Sequence, residues 1–226
     1  MTSTRGGRNL DRLAWTLTWL LTSIILVFVV VRVTSDVADL TAGRVPPEGD
    51  FDRRYVLNPV IAYLHIVPGV VYLLGAPFQL SARLRQRRLG LHRRLGRLLI
   101  PAGLVTGLFA IVVGIVMPFG RAAEVSAAIV FGLYFLLALI IAYRRVRSGD
   151  VTARRRWMIR AFAVGVGVGM IRIVIGIGEA VGLGIEQSFG AAFWIAFVML
   201  AALAEVWLWL RPLPPARERR VDATPS

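Results

Sequence analysis

The chain is 226 residues long and 57% hydrophobic, with a mean hydropathy of +0.68 and no cysteine. An ordinary soluble domain is nearer about 45–50% apolar, so the excess argues against that class, and the missing cysteine excludes disulfides, thiolate metal sites and cysteine nucleophiles. The formal charge of +14 rests on arginine with no lysine; these arginines fall between apolar blocks and not on a soluble basic face, which points to membrane topology and anionic lipid and away from nucleic acid.

The apolar residues come in six blocks at 13–33, 58–80, 95–117, 122–143, 157–181 and 189–210. Each is about as long as the ~20 residues that cross the hydrocarbon of a bilayer. The pattern predicts an all-α bundle of six transmembrane helices in one domain covering the whole chain. The first block follows Arg5, Arg8 and Arg12, as a signal peptide would. Its apolar core exceeds the roughly 7–15 residues of a signal core, and no convincing cleavage site follows, so a retained anchor is expected.

The second block carries His65 about eight residues from its start, roughly 12 Å deep, with Tyr63 and Tyr72 on the same helix. Pro68 follows three residues later and cannot donate to the carbonyl of Leu64. The third block places Gly103, Gly107, Ala110 and Gly114 on one face, and the fifth does the same with Ala161, Gly165 and Gly169. Such seams let helix backbones approach closely within a bilayer. Gly165, Gly167 and Gly169 alternate inside an apolar helix with no strand before them, so they form no phosphate loop. The fifth block also holds Arg172 at a depth comparable to His65, and Glu179 two turns further on the same face. Ionisable groups at that depth are costly and mark candidate sites. Nearer the other end, Arg160 and Glu205 are expected to pair across the fifth and sixth helices.

Arginine placement predicts orientation. Twenty lie in the N-terminal tail, the loops 81–97 and 144–156 and the C-terminal tail, against Arg44, Arg53, Arg54 and Arg121 on the opposite side. The positive-inside rule then puts both termini and both arginine-rich loops in the cytoplasm, and the chain in an inner (plasma) membrane. Arg93, Arg94, Arg97, Arg155 and Arg156 are the expected contacts to anionic headgroups.

Four segments together carry a resemblance: His65-Ile66-Val67-Pro68-Gly69, Leu74-Gly75-Ala76-Pro77-Phe78-Gln79, Leu91-His92-Arg93-Arg94-Leu95-Gly96-Arg97, and Arg155-Arg156-Trp157-Met158-Ile159-Arg160 with Arg172 following. In their order and spacing they resemble the bacterial membrane family known as domain of unknown function 2306, from about Pro59 to Arg172 and more weakly to the end. The resemblance implies a membrane fold and no particular activity. In that family a histidine commonly precedes the Arg-Arg-Trp-Met run, whereas this chain has Arg154 there, which puts any mechanism using paired interfacial histidines in doubt.

The leading functional expectation is a non-enzymatic scaffold or partner subunit, contacting anionic lipid and assembling with itself or another membrane protein. The alternative is a transporter, or a protein that binds a small solute or proton, with an outward polar site at His65, Arg172, Glu179 and Tyr63. A second alternative is haem electron transfer. Its two-histidine form needs His65 and His92 to face one iron, and their expected separation in depth exceeds about 20 Å. No cofactor or metal is therefore expected, and no serine, histidine and carboxylate fall together as in a hydrolase.

Overall fold

The computed structural model describes residues 5–211. Arg217, Arg219 and Arg220, assigned above to the cytoplasmic face, lie outside the described residues, as do the side chains of Arg5, Arg8 and Arg83. The chain folds into helices α1 (Arg5–Thr41), α2 (Arg53–Leu57), α3 (Pro59–Leu80), α4 (Ala82–Arg87), α5 (Leu89–Val116), α6 (Arg121–Arg147), α7 (Val151–Ala180) and α8 (Ile185–Leu210), with no strand among the described residues. All but α2 and α4 are long and apolar enough to cross a membrane.

Local signals fix where these helices begin and turn. Pro59 opens α3, where its missing N–H costs nothing. The Asp150 carboxylate accepts a hydrogen bond from the Ala153 N–H at 2.8 Å and so caps α7. Gly182, at φ +84°, lets the chain leave α7 and enter α8 within a few residues; there the Leu183 N–H reaches the Gly178 carbonyl at 2.9 Å.

The packing places α7 at the centre. It lies against α8, α6, α1 and α3, while α5 bridges α3 and α6. The most buried positions are apolar or small and include Leu21, Tyr72, Leu99, Leu139, Ala161 and Ala196. At the α1–α7 approach the backbones are close: a Cβ at Gly169 would stand 2.6 Å from the Leu21 carbonyl oxygen. Helix α1 packs at the edge and is the least buried of the six.

The structure extends several helices beyond the expected boundaries: α5 begins at Leu89, α6 runs to Arg147, α7 begins at Val151 and α8 at Ile185, and α4 forms in the loop 81–97. The segment 34–57 reads as a loop, yet α1 continues to Thr41 and α2 occupies Arg53–Leu57. Asp36 and Asp39 end the apolar run in sequence, but both are buried and paired. Asp36 meets Arg32 one turn earlier at 3.1 Å, and Asp39 pairs with Arg44. Ion pairing supplies what hydropathy does not, and the helix runs on.

Two ends of the bundle can be told apart by their contacts. At the arginine-rich end the Gln79 amide donates to the His92 carbonyl at 2.7 Å, Arg154 approaches the Gln79 carbonyl oxygen at 3.4 Å, and Arg211 pairs with Asp11 at 2.9 Å. Further along, Arg160 grips Glu205 with two bonds of 2.6 and 2.8 Å, joining α7 to α8. The opposite end holds α2, the end of α1 and the starts of α3, α6 and α8.

Candidate functional site

His65 sits where α3 crosses α5. Its Nδ1 lies 3.0 Å from the Thr106 carbonyl and 3.1 Å from the Thr106 hydroxyl oxygen. That hydroxyl already donates to the His65 carbonyl at 2.7 Å. Both atoms facing Nδ1 are therefore acceptors, so Nδ1 carries the proton and the neutral ring keeps Nε2 as a free acceptor. The approach depends on Gly69, where a Cβ would stand 2.9 Å from the Thr106 hydroxyl. Helix α3 is continuous through Pro68, and the carbonyl that takes the hydroxyl is that of His65.

Above this floor, three arginines gather round one ring. The guanidinium carbons of Arg54, Arg32 and Arg172 lie 4.0, 5.3 and 5.9 Å from the centroid of Phe51. Phe51 is held in turn by an edge contact with Phe119 and a tilted contact with Phe189, so the lead-in to α2 is fastened to the α5–α6 turn and to α8. Arg32 is neutralised by Asp52 at 2.6 Å and by Asp36, and Tyr63 donates to the far oxygen of Asp36 at 3.3 Å. Arg54 donates to the Met117 carbonyl at 2.8 Å, and burial pulls its pKa below the ordinary arginine value. A guanidinium still stays charged near neutral pH. Glu124, 3% exposed, accepts from the Phe119 and Gly120 N–H groups at 2.6 Å each, so its charge is held at the start of α6.

Arg172 differs from its two neighbours. It forms no hydrogen bond and no ion pair among the described residues, and its buried Nε is without an acceptor. It rests over Phe28, with 4.9 Å from guanidinium carbon to ring centroid. Eight residues separate it from the end of α7 at Ala180, roughly 12 Å along the axis. A cation at that depth with only aromatic faces for company is poorly compensated.

These groups line one cavity of about 470 Å³. Arg32, Arg54, Arg172, Asp52 and Glu124 stand at its charged end, and His65, Thr106 and Tyr72 lie on its deeper walls. The structure thus brings to one cavity His65 and Arg172, two of the four residues singled out from sequence. Glu179 is not part of the cavity: it is exposed and makes no ion pair with Arg172. Seven residues along a helix restore the face but also advance about 10 Å, which carries Glu179 past the cavity. Tyr63 is likewise outside the lining and acts behind it, on Asp36. Of the expected headgroup arginines, Arg93, Arg94, Arg97 and Arg156 are exposed and Arg155 is half-buried.

Sequence reasoning missed Arg32, Phe51, Asp52, Arg54, Thr106 and Glu124. Arg32 carried a usable signal, being an arginine inside an apolar block; the others looked like ordinary loop or core residues. His92 packs at Gln79, fourteen residues along α3 from His65, so about 21 Å of helix separates the two imidazoles and they cannot ligate one iron. No group of three metal-ligating side chains occurs among the described residues.

The family model described as "Predicted membrane protein (DUF2306)" matches residues 62–208. The chain belongs to this family. It is accordingly a multi-pass membrane protein, as its six apolar helices require. The DUF2306 match begins within α3 and ends within α8, so α1 and α2, which supply Arg32, Phe51 and Arg54 to the cavity, lie outside it. No curated protein and no solved structure matches the chain.

Proposed function

We propose that this protein binds, and moves or presents, a small anionic solute through a cavity that opens at the end of the bundle opposite the arginine-rich loops. The observation that carries this reading is Arg172: a half-buried guanidinium that lines a cavity, with a buried Nε that has no acceptor and with no carboxylate or carbonyl partner among the described residues. A scaffold assembled only by helix packing has no use for such a group, because an unpaired charge in the bilayer interior is destabilising. An anion entering the cavity supplies the missing partner, with Arg54 beside it.

The arginine distribution supports an inner (plasma) membrane orientation with both termini in the cytoplasm and the cavity facing outward. Arg93, Arg94, Arg97 and Arg156 then stand at the cytoplasmic surface, where anionic headgroups attract them. On this reading the protein is not an enzyme and uses no resident cofactor.

The test is chemical analysis of what the protein carries. Protein purified in mild non-ionic detergent and then denatured is expected to release an anionic molecule in near-stoichiometric amount, and Arg172→Gln purified identically is expected to release little. Equal amounts from both proteins, or none from either, would count against the proposal.

A further inference from the structure

We infer that the ligand is a single-chain amphiphile, its anionic head at Arg172 and Arg54 and its apolar chain running down between α7, α6 and α8. The inference rests on the anion-site reading above and adds the chemistry of the rest of the molecule. On α7 the cavity-lining residues are Val164, Gly165, Val168, Ile171 and Arg172, a single helical stripe with the cation at one end. Val164 lies eight residues from Arg172, roughly 12 Å deeper. Across from this stripe the lining is aromatic, with Phe131, Phe135, Phe193 and Phe197. A hydrated inorganic anion has no use for such a bowl, whereas an alkyl or isoprenoid chain gains by filling it.

Size fits the class. A cavity of about 470 Å³ is of the ordinary size for a small-molecule site and has room for one chain with a compact head. Charge narrows it. Of the three guanidiniums around Phe51, Arg32 is paired with Asp52 and Asp36, and Arg54 and Arg172 have no carboxylate bonded to them among the described residues. A choline-type head would meet like charge there, while a carboxylate or phosphate monoester meets complementary donors. Phe51 lines the charged end, in contact with Phe119 and Phe189.

The experiment compares three probes on the full chain in phosphatidylcholine nanodiscs, scored by calorimetric titration and by thermal melting: dodecyl phosphate, inorganic phosphate and dodecanol. Dodecyl phosphate is expected to bind at least tenfold more tightly than either of the others, to saturate at one per chain, and to lose tenfold or more in Arg172→Gln and in Val168→Phe, which fills the stripe one turn below the cation. Inorganic phosphate binding as tightly as dodecyl phosphate overturns the amphiphile assignment and leaves the anion site standing. Dodecanol matching dodecyl phosphate overturns both, and so does the absence of binding by all three. A melting shift undiminished in both variants means partition into the bilayer alone and also overturns the inference. The three-probe comparison on the unaltered protein decides the matter even if Val168→Phe fails to fold.

Discussion

At the scale of single residues, the polar groups in the bundle separate into those that have partners and those that lack them. His65 has its Nδ1 fixed by two acceptors on Thr106. Nitrogen-15 NMR of histidine-labelled protein is expected to show Nδ1 protonated and Nε2 bare for the neutral ring. A dominant Nε2–H tautomer would mean that the Thr106 contact is not the one that sets the ring. Tyr72 is the converse case: 1% exposed, with a hydroxyl that has no hydrogen-bond partner. A buried unsatisfied hydroxyl costs about 1–3 kcal/mol. Tyr72→Phe is therefore expected to raise the melting temperature, by roughly 1 kcal/mol in stability terms; a clear loss would reveal a partner for the hydroxyl.

At the scale of helices, small residues decide which surfaces can meet. Gly169 lets α1 press its Leu21 carbonyl against α7, and any side chain there collides with backbone. Gly169→Ala is expected to destabilise by about 1–3 kcal/mol through forced separation of the two helices. Gly176, two turns along α7, has open space where its Cβ would be. Gly176→Ala is expected to be neutral, or stabilising by up to about 1 kcal/mol through helix propensity. Melting curves of the two variants side by side provide the check, and equal effects would mean that α1 does not pack as described. Hydropathy made the six long helices legible, because the bilayer sets their length. It could not show that α1 continues through Asp36 and Asp39, because ion pairs with Arg32 and Arg44 are not visible as a run of apolar residues. The Arg160–Glu205 bridge was legible, since a cation and an anion inside adjacent apolar helices toward the same end have few other partners.

At the scale of the molecule, the cavity is assembled from segments far apart in the chain, which is why sequence revealed only part of it. His65 and Arg172 stood out as polar groups in apolar blocks. Phe51, Asp52 and Arg54 read as a solvated loop, and only the packing of Phe51 on Phe119 and Phe189, with Arg54 bonded to the Met117 carbonyl, brings them to the cavity. What the cavity can do depends on which side of the membrane it faces, and the absence of native cysteine makes that side measurable. Glu48 lies in the connection near the cavity mouth, and Ser148 lies in the turn between α6 and α7 at the arginine-rich end; both are exposed. With arginines concentrated at the Ser148 end, the positive-inside rule leads us to expect that end in the cytoplasm. A membrane-impermeant maleimide is expected to label Glu48→Cys on cells whose inner-membrane outer face is accessible, and to label Ser148→Cys only after the membrane is permeabilised. The reverse pattern would turn the cavity toward the cytoplasm. The same arginines would then face outward, away from the anionic leaflet, and the bound anion would have to be an intracellular one.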